Sequence, residues 1–342
     1  MSAQLPLAAA ARREESSRTP RRLDRRLLPL AVTIALFVAA AAVGSVLYTG
    51  FLSPQVFLNL LIDNAFLCIV AVGMTFVILS GGIDLSVGSV VALTTMVSAA
   101  LVERHGWHPL LVMPLVLAMG TAFGALMGLL IQRFRLQPFL VTLAGMFLAR
   151  GLCYLISIDS ISIGHSMYAE VSQLRVPVGF DASLSVGALI ALAVVAVAMW
   201  LAHFTQFGRT VYAIGGNETS ALLMGLPVPR TLVGVYAFSG FCSALGGVVF
   251  TFYMLSGYGL HAVGLELDAI AAVVIGGTLL SGGVGTVIGT LFGVMTLGLI
   301  QTLIMFDGTL SSWWTRIVIG ALLLAFCLLQ RVFELRRRRR LG

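Results

Sequence analysis

Polar and charged side chains interrupt long apolar stretches at only a few places in this chain, and chemistry could occur there. Between Gly73 and Ser89 (GMTFVILSGGIDLSVGS) an apolar run stops at Ser80-Gly81-Gly82, and Asp84 follows. An aspartate there can accept the free N–H groups of a helix beginning near Leu85. A helix break at this point could instead line a polar path, because a carboxylate at membrane depth is costly and usually functional. Asp268 has the same two roles open to it in Leu265–Gly277, as does the pair Asp63-Asn64 near the start of another apolar run. Arg150 lies about 12 residues, or roughly 18 Å, from the inner end of its apolar segment at 1.5 Å per residue. A backbone carbonyl or an aspartate could hold it, or a substrate could meet it.

The stretch Gly208–Pro227 differs in kind. Gly215-Gly216 ends whatever precedes it, Asn217 is a good helix N-cap, and Glu218 falls in the first turn, where the helix dipole favours negative charge. Ala221 to Met224 favour a helix, and Gly225 with Pro227 stops it. The spacing predicts a helix of about two turns, too short to persist alone. It must dock, either on its own bundle or in a partner's groove.

Several chemistries are excluded. All 21 basic residues are Arg and none is Lys. A phosphate-binding loop of the G-x-x-x-x-G-K-[ST] type, a kinase site and a pyridoxal site all need lysine. An ATP-driven process would therefore need its ATPase on another chain. Cys68, Cys153, Cys242 and Cys327 each lie in apolar sequence with no short pair spacing, as buried small side chains do. The five His, at 105, 108, 165, 203 and 261, are scattered. A membrane enzyme would need a convergent His, Asp or Glu cluster.

The elements that must position these residues follow from composition. Of 342 residues 59% are hydrophobic and only 10% charged, against about a quarter charged in soluble domains. At roughly 20 residues per span, that is apolar matter for about ten membrane helices. The expected segments are 27–48, 58–79, 85–102, 109–131, 138–157, 184–203, 231–255, 266–280, 284–305 and 313–330. The apolar runs are continuous rather than alternating, which excludes a transmembrane β-barrel. The fold class is thus all-α and polytopic, with broken or re-entrant helices where 80–84 and 281–283 are rich in glycine.

Charge sets the orientation. Seven Arg precede residue 27 and six follow residue 330, so residues 1–26 and 331–342 read as basic tails around a membrane domain, 27–330. Loops 132–137 and 204–230 carry Arg133, Arg135, Arg209 and Arg230, whereas 158–183 holds Asp159, Glu170 and Asp181 against Arg175. Excess Arg on cytoplasmic loops places both termini inside. The basic balance lies in the tails and implies no nucleic-acid partner. A faint internal repeat is also present: Ser80-Gly81-Gly82 and Ser281-Gly282-Gly283 are matched, as are Gly88 and Gly289. Transporters are often built from two related halves.

Three motifs in order resemble the ribose/galactose-type permeases of bacterial ABC importers: Gly73–Ser89, Gly215–Gly225 and Leu267–Gly293. Within that family, Asn59–Leu61, Asp63–Phe66 and Phe306–Thr315 most resemble a permease subunit of galactofuranose importers. The resemblance implies a vitamin-B12-type (type II importer) permease fold of about ten helices in the inner membrane. It implies a second permease subunit, often non-identical, an ABC ATPase that binds the ATP and Mg, and a periplasmic sugar-binding protein that docks on outer loops such as 158–183 and 256–265. This chain itself would hold no cofactor and be no enzyme. Gly215, Gly216, Asn217, Glu218, Ala221 and Gly225 would form the coupling element. Asn64, Ser80, Gly81, Gly82, Asp84, Arg150 and Asp268 would flank the translocation path. Bulkier residues at Gly215 or Gly225 are expected to leave folding largely intact and to uncouple ATP hydrolysis from uptake. An ion-coupled secondary sugar transporter is the competing class; it needs a coupling carboxylate at the midplane.

Overall fold

A computed structural model describes residues 28–179, 182–308 and 313–338. The expected N-terminal tail, 1–26, and the motif residues 309–312 lie outside the described residues. The described elements are helices with four short strands. They are α1 (Leu28–Leu47), α2 (Pro54–Asp63), α3 (Ala65–Leu79), α4 (Val87–Ala99), which continues as a π-helical turn over Ala100–Arg104, α5 (Pro109–Phe134) and α6 (Pro138–Ile156). Then come β1 (Ile161–Ser162), α7 (Ser166–Gln173), β2 (Arg175–Gly179), β3 (Ala182–Ser185), α8 (Val186–Phe204), α9 (Gln206–Gly216) and α10 (Glu218–Leu223). The chain continues through α11 (Val228–Met254), β4 (Ser256–Gly257), α12 (Leu265–Ile275), α13 (Val287–Asp307) and α14 (Trp313–Arg338).

Seven of these helices, among the described residues, are long and apolar enough to cross a membrane; α2 and α3 together make an eighth. Their axes meet at 60°. Asn64 occupies the bend, and its amide Nδ2 donates to the Leu60 carbonyl at 2.9 Å, so the break's own polar groups are used internally. The segment expected as a span over 266–280 is different. Only Leu265–Ile275 is helical, eleven residues, or roughly 16 Å at 1.5 Å per residue, about half a hydrocarbon core. Residues 276–286 are irregular. The buried Thr33 hydroxyl of α1 donates to the Ile275 carbonyl, one of those left free where α12 ends. Non-helical backbone at such depth is tolerated where it is buried in protein. The last expected span, 313–330, is an apolar stretch of a helix that runs on through Arg338, so part of the basic tail is helical.

α3, α11 and α12 fill the centre. Nearly all of α3 is buried, as are Ala271 to Ile275 of α12. α11 packs along α5 through glycines. A Cβ on Gly124 would overlap the Tyr236 carbonyl, and one on Gly240 would overlap that of Gly120. The spacing Gly120-xxx-Gly124-xxx-Gly128 was legible as a small-residue packing ridge and was missed. Large apolar side chains that stay exposed, such as Phe147, Leu155, Val197 and Trp200, lie on α6 and α8. They form the surface expected against lipid.

One end of the bundle carries the strands. β1 pairs antiparallel with β4, Ile161 opposite Gly257, which ties the loop after α6 to the loop after α11. The β2–β3 hairpin is fixed to α2, because Ser183 N–H donates to Gln55 Oε1 at 2.9 Å. Arg104 reaches the end of α6, donating to the Ile156 carbonyl and Ser157 Oγ, both at 2.9 Å.

Candidate functional site

The opposite end of the bundle is built around α9 and α10. Sequence reasoning missed α9. Its signal was there: Thr205 as an N-cap, whose Oγ1 accepts from Gly208 N–H at 3.2 Å, and apolar residues at 207, 211 and 214 on one face. Asn217 caps α10 as expected, its Oδ1 accepting from Ser220 N–H at 2.8 Å. The helix ends in a Schellman motif. Gly225 has φ of 77°; its N–H donates to the Leu222 carbonyl at 2.9 Å, and Leu226 N–H donates to that of Ala221 at 3.1 Å.

α10 docks on its own bundle through one side. Ala221 is fully buried against Ile214 and Val228. The other side is bare: Leu222, Leu223 and Met224 are 49%, 85% and 68% exposed. Three adjacent exposed apolar side chains on a polar loop suit contact with another protein better than water. Sequence reasoning read these three as helix formers and overlooked the surface they make.

The glycine pair before α10 meets both glycine-rich breaks. Gly283 N–H donates to the Leu79 carbonyl, the last of α3, at 2.9 Å. Gly215 is wedged over that bond: a Cβ there would overlap the Leu79 oxygen and the Gly283 nitrogen, both closer than the 3.0 Å that real Cβ atoms keep. Gly282 lies against Gly81 and Gly215. The Tyr212 hydroxyl of α9 donates to the Gly285 carbonyl at 2.9 Å. Thus the matched Ser-Gly-Gly segments of the repeat and the end of α9 share one backbone-to-backbone junction. The expectation that bulk at Gly215 spares folding is corrected here, because there is no room for a side chain. At Gly216 nothing lies within 4 Å, and at Gly225 the obstacle is the positive φ rather than a neighbour.

The other expected site residues fall elsewhere. Asp84 does not cap the first turn of α4. It is 2% exposed and accepts from Ser86 N–H at 2.9 Å, Ser86 Oγ at 2.6 Å and Ser239 Oγ of α11 at 2.7 Å. It closes a turn onto α11. Ser80 Oγ donates to the Val77 carbonyl at 2.8 Å. Arg150 donates from one nitrogen to the Gly259 and His261 carbonyls, at 2.6 and 2.7 Å, and so holds the loop between α11 and α12. Burial, and then the charge of Arg150, hold the His261 imidazole below its ordinary pKa. Asp268 faces Arg316 of α14 at 3.8 Å. No group of three His, Cys, Asp or Glu among the described residues is arranged to hold a metal ion.

The arrangement brings backbone segments together rather than a cluster of catalytic side chains. Residues 56–327 match the family described as "branched-chain amino acid transport system / permease component". The inner membrane ABC transporter permease protein YjfF of Escherichia coli is 56% identical over 90% of this chain and 93% of its own. The fructose import permease protein FruG of Bifidobacterium longum is 42% identical over 91% and 92%, and the ribose import permease protein RbsC of Bacillus subtilis 40% over 87% and 91%. The chain belongs to this permease family. No solved structure matches it. Membership gives the site its meaning: ABC permeases are not themselves enzymes. The α9–α10 element and the junction behind it join one end of the bundle to the glycine-rich breaks at its centre.

Proposed function

We propose that this chain is the membrane-spanning subunit of a bacterial ABC importer that moves a monosaccharide inward, galactofuranose or a related pentose or hexose. The names of the fructose and ribose permeases support the sugar class. The motif runs that resemble galactofuranose permeases support the finer choice. The observation that carries the coupling role is α10: anchored by Ala221, bare at Leu222–Met224, and joined through Gly215 to both breaks. A partner ATPase binds ATP and Mg, grips this apolar tip, and moves α9 and α10 as a body. Asn217, Glu218 and Gly225 keep the tip's shape, and Gly216 contributes only backbone. A second, non-identical permease completes the pore. A periplasmic binding protein delivers the sugar to the end where β1 and β4 join the 158–183 and 256–265 loops. Ten membrane segments, some of them half-helices, with both termini cytoplasmic and a vitamin-B12-type arrangement, fit the Arg bias and the half-length α12. Asn64, Ser80, Gly81, Gly82, Asp84, Arg150 and Asp268 lie on or support the path walls.

No observation favours ion coupling, which needs a carboxylate free to bind the ion at the midplane; Asp84 accepts three hydrogen bonds, and Asp268, at the start of α12, faces Arg316. Gentle affinity purification from the native membrane, with mass spectrometry of the accompanying chains, tests the proposal. An ATPase and a second permease are expected. An ATPase alone points to a homodimer. Absence of any ATPase, in a detergent that keeps a known importer intact, refutes it.

A further inference from the structure

An open cleft with a mixed polar and apolar lining lies between the start of α12, the end of α13 and the first turns of α14. Its volume is about 340 Å³, at the low end of the range for ligand pockets. Asp268, Gln301, Thr315 and Arg316 supply its polar wall, and Met305 and Ile319 are part of its apolar floor. The positions are set by helix periodicity: Gln301 and Met305 are four apart on α13, as are Thr315 and Ile319 on α14.

The groups in this wall are not satisfied by one another. Asp268 and Arg316 approach to 3.8 Å, beyond hydrogen-bond distance, with the Arg316 side chain 54% exposed. The Gln301 amide and the Thr315 hydroxyl have no hydrogen-bond partner among the described residues. An ionised aspartate only accepts, an arginine only donates, and the amide and hydroxyl do both. The two charges cancel. A neutral ligand bearing several hydroxyl groups suits such a wall; an anion would meet Asp268, and a cation would meet Arg316. The apolar floor fits the C–H face of a sugar ring. Trp313 and Trp314, exposed at the start of α14, mark the level of the membrane interface, where indole side chains concentrate.

We infer that this cleft is a sugar subsite at the outer mouth of the permease, in which Asp268, Gln301, Thr315 and Arg316 hydrogen-bond the substrate's hydroxyl groups as it leaves the binding protein. The inference rests on the sugar-import proposal and adds the residues that read the substrate. The site is shallow and open, so affinity is weak, in keeping with a path that must release what it holds.

The test is saturation-transfer NMR on the purified permease–ATPase complex without binding protein, with D-ribose, D-fructose and D-galactose as probes. Transfer to the C–H protons of at least one sugar is expected. It should fall at least fivefold in Asp268→Asn and in Gln301→Ala. Arg316→Gln, at an exposed side chain with little bearing on folding, should alter which of the three sugars gives the strongest signal. Melting temperatures of the variants should stay within a few degrees of wild type. Equal transfer in wild type and all three variants overturns the subsite, as does no transfer to any sugar from an intact complex. These failures differ from failure of the importer proposal, in which the ATPase would be missing from the complex altogether.

Discussion

Gly215→Ala isolates the junction from everything else the loop does. The added methyl group overlaps the Leu79 carbonyl oxygen and the Gly283 nitrogen. Both are backbone atoms and cannot rotate away, so the end of α9 must lift off the two breaks. Overpacking of this kind costs about 1–3 kcal/mol. Separating Gly283 N–H from the Leu79 carbonyl loses a hydrogen bond worth a net ~0.5–1.5 kcal/mol. The closed junction is thus disfavoured by about 2–4 kcal/mol, or roughly 30- to 1,000-fold in population at 1.4 kcal/mol per decade. Gly216→Ala is the matched control, because nothing lies within 4 Å of that position. The assay is the complete importer in proteoliposomes, with sugar uptake and ATP hydrolysis measured side by side and thermal stability read by size exclusion. Gly215→Ala should lower sugar moved per ATP at least tenfold and reduce thermal stability. Gly216→Ala should stay within twofold on every measure. Wild-type coupling and stability in Gly215→Ala, or an equal loss in Gly216→Ala, would refute the reasoning.

Leu223→Asp places a charge on the most exposed side chain of the α10 tip and should weaken ATPase co-purification about 10- to 100-fold, as loss of a central interface contact does, while the permease alone melts normally. Asp84→Ala leaves the Ser239 hydroxyl and the Ser86 donors without their acceptor, so a loss of roughly 2–4 kcal/mol is expected, visible as a lower melting temperature; Asp84→Asn should lose less. Arg150→Ala frees the Gly259 and His261 carbonyls, and hydrogen exchange across 258–264 should quicken at least tenfold with α5 unaffected. His261 has its pKa lowered by burial and by Arg150. The unfolded state therefore binds the proton more readily, and stability from this group is full above the ordinary value of about 6.5 and is lost as pH falls through the lowered folded value. Thermal melts from pH 7.5 to 5 should show that loss in wild type and less of it in His261→Gln.

The α10 helix was legible nearly to the residue, because capping is local chemistry: Asn217 before it and Gly225 after it leave few alternatives. Most membrane segments were legible as helices, for example 109–131 and 138–157, but the places where a segment bends or stops short were not. Apolar length alone cannot separate a straight span from the 60° bend at Asn64 or from the half-length α12. Those are decided by which backbone groups find partners inside the bundle, as Thr33 does for Ile275. Asp84 shows the same limit. Its type and place in the break suggested a cap or a path residue, and only the fold reveals that Ser239, 155 positions later, takes one of its oxygens. The exposed tip Leu222–Met224 was hidden for the opposite reason, since apolar residues in a membrane protein attract no notice until their neighbours are known to be absent.

The faint repeat acquires a mechanical meaning from where its two copies meet. Each Ser-Gly-Gly segment interrupts a pair of helices, α3 with α4 and α12 with α13; the copies meet at Gly81 and Gly282, and Gly215 packs on Gly282, Gly283 and the Leu79 carbonyl just before the first copy. Two side chains in contact can absorb a displacement by changing rotamer. Two backbones joined by the Gly283–Leu79 hydrogen bond have no such slack, since protein interiors are close-packed and transmit strain. A push on α10 that moves Gly215 must therefore move the end of α3 and the 276–286 break together. Glycine is required at these positions less for flexibility than for proximity. Under the proposed function, a junction joining both halves of the repeat lets a drive acting on α10 change the centre of the bundle without first deforming its own anchor.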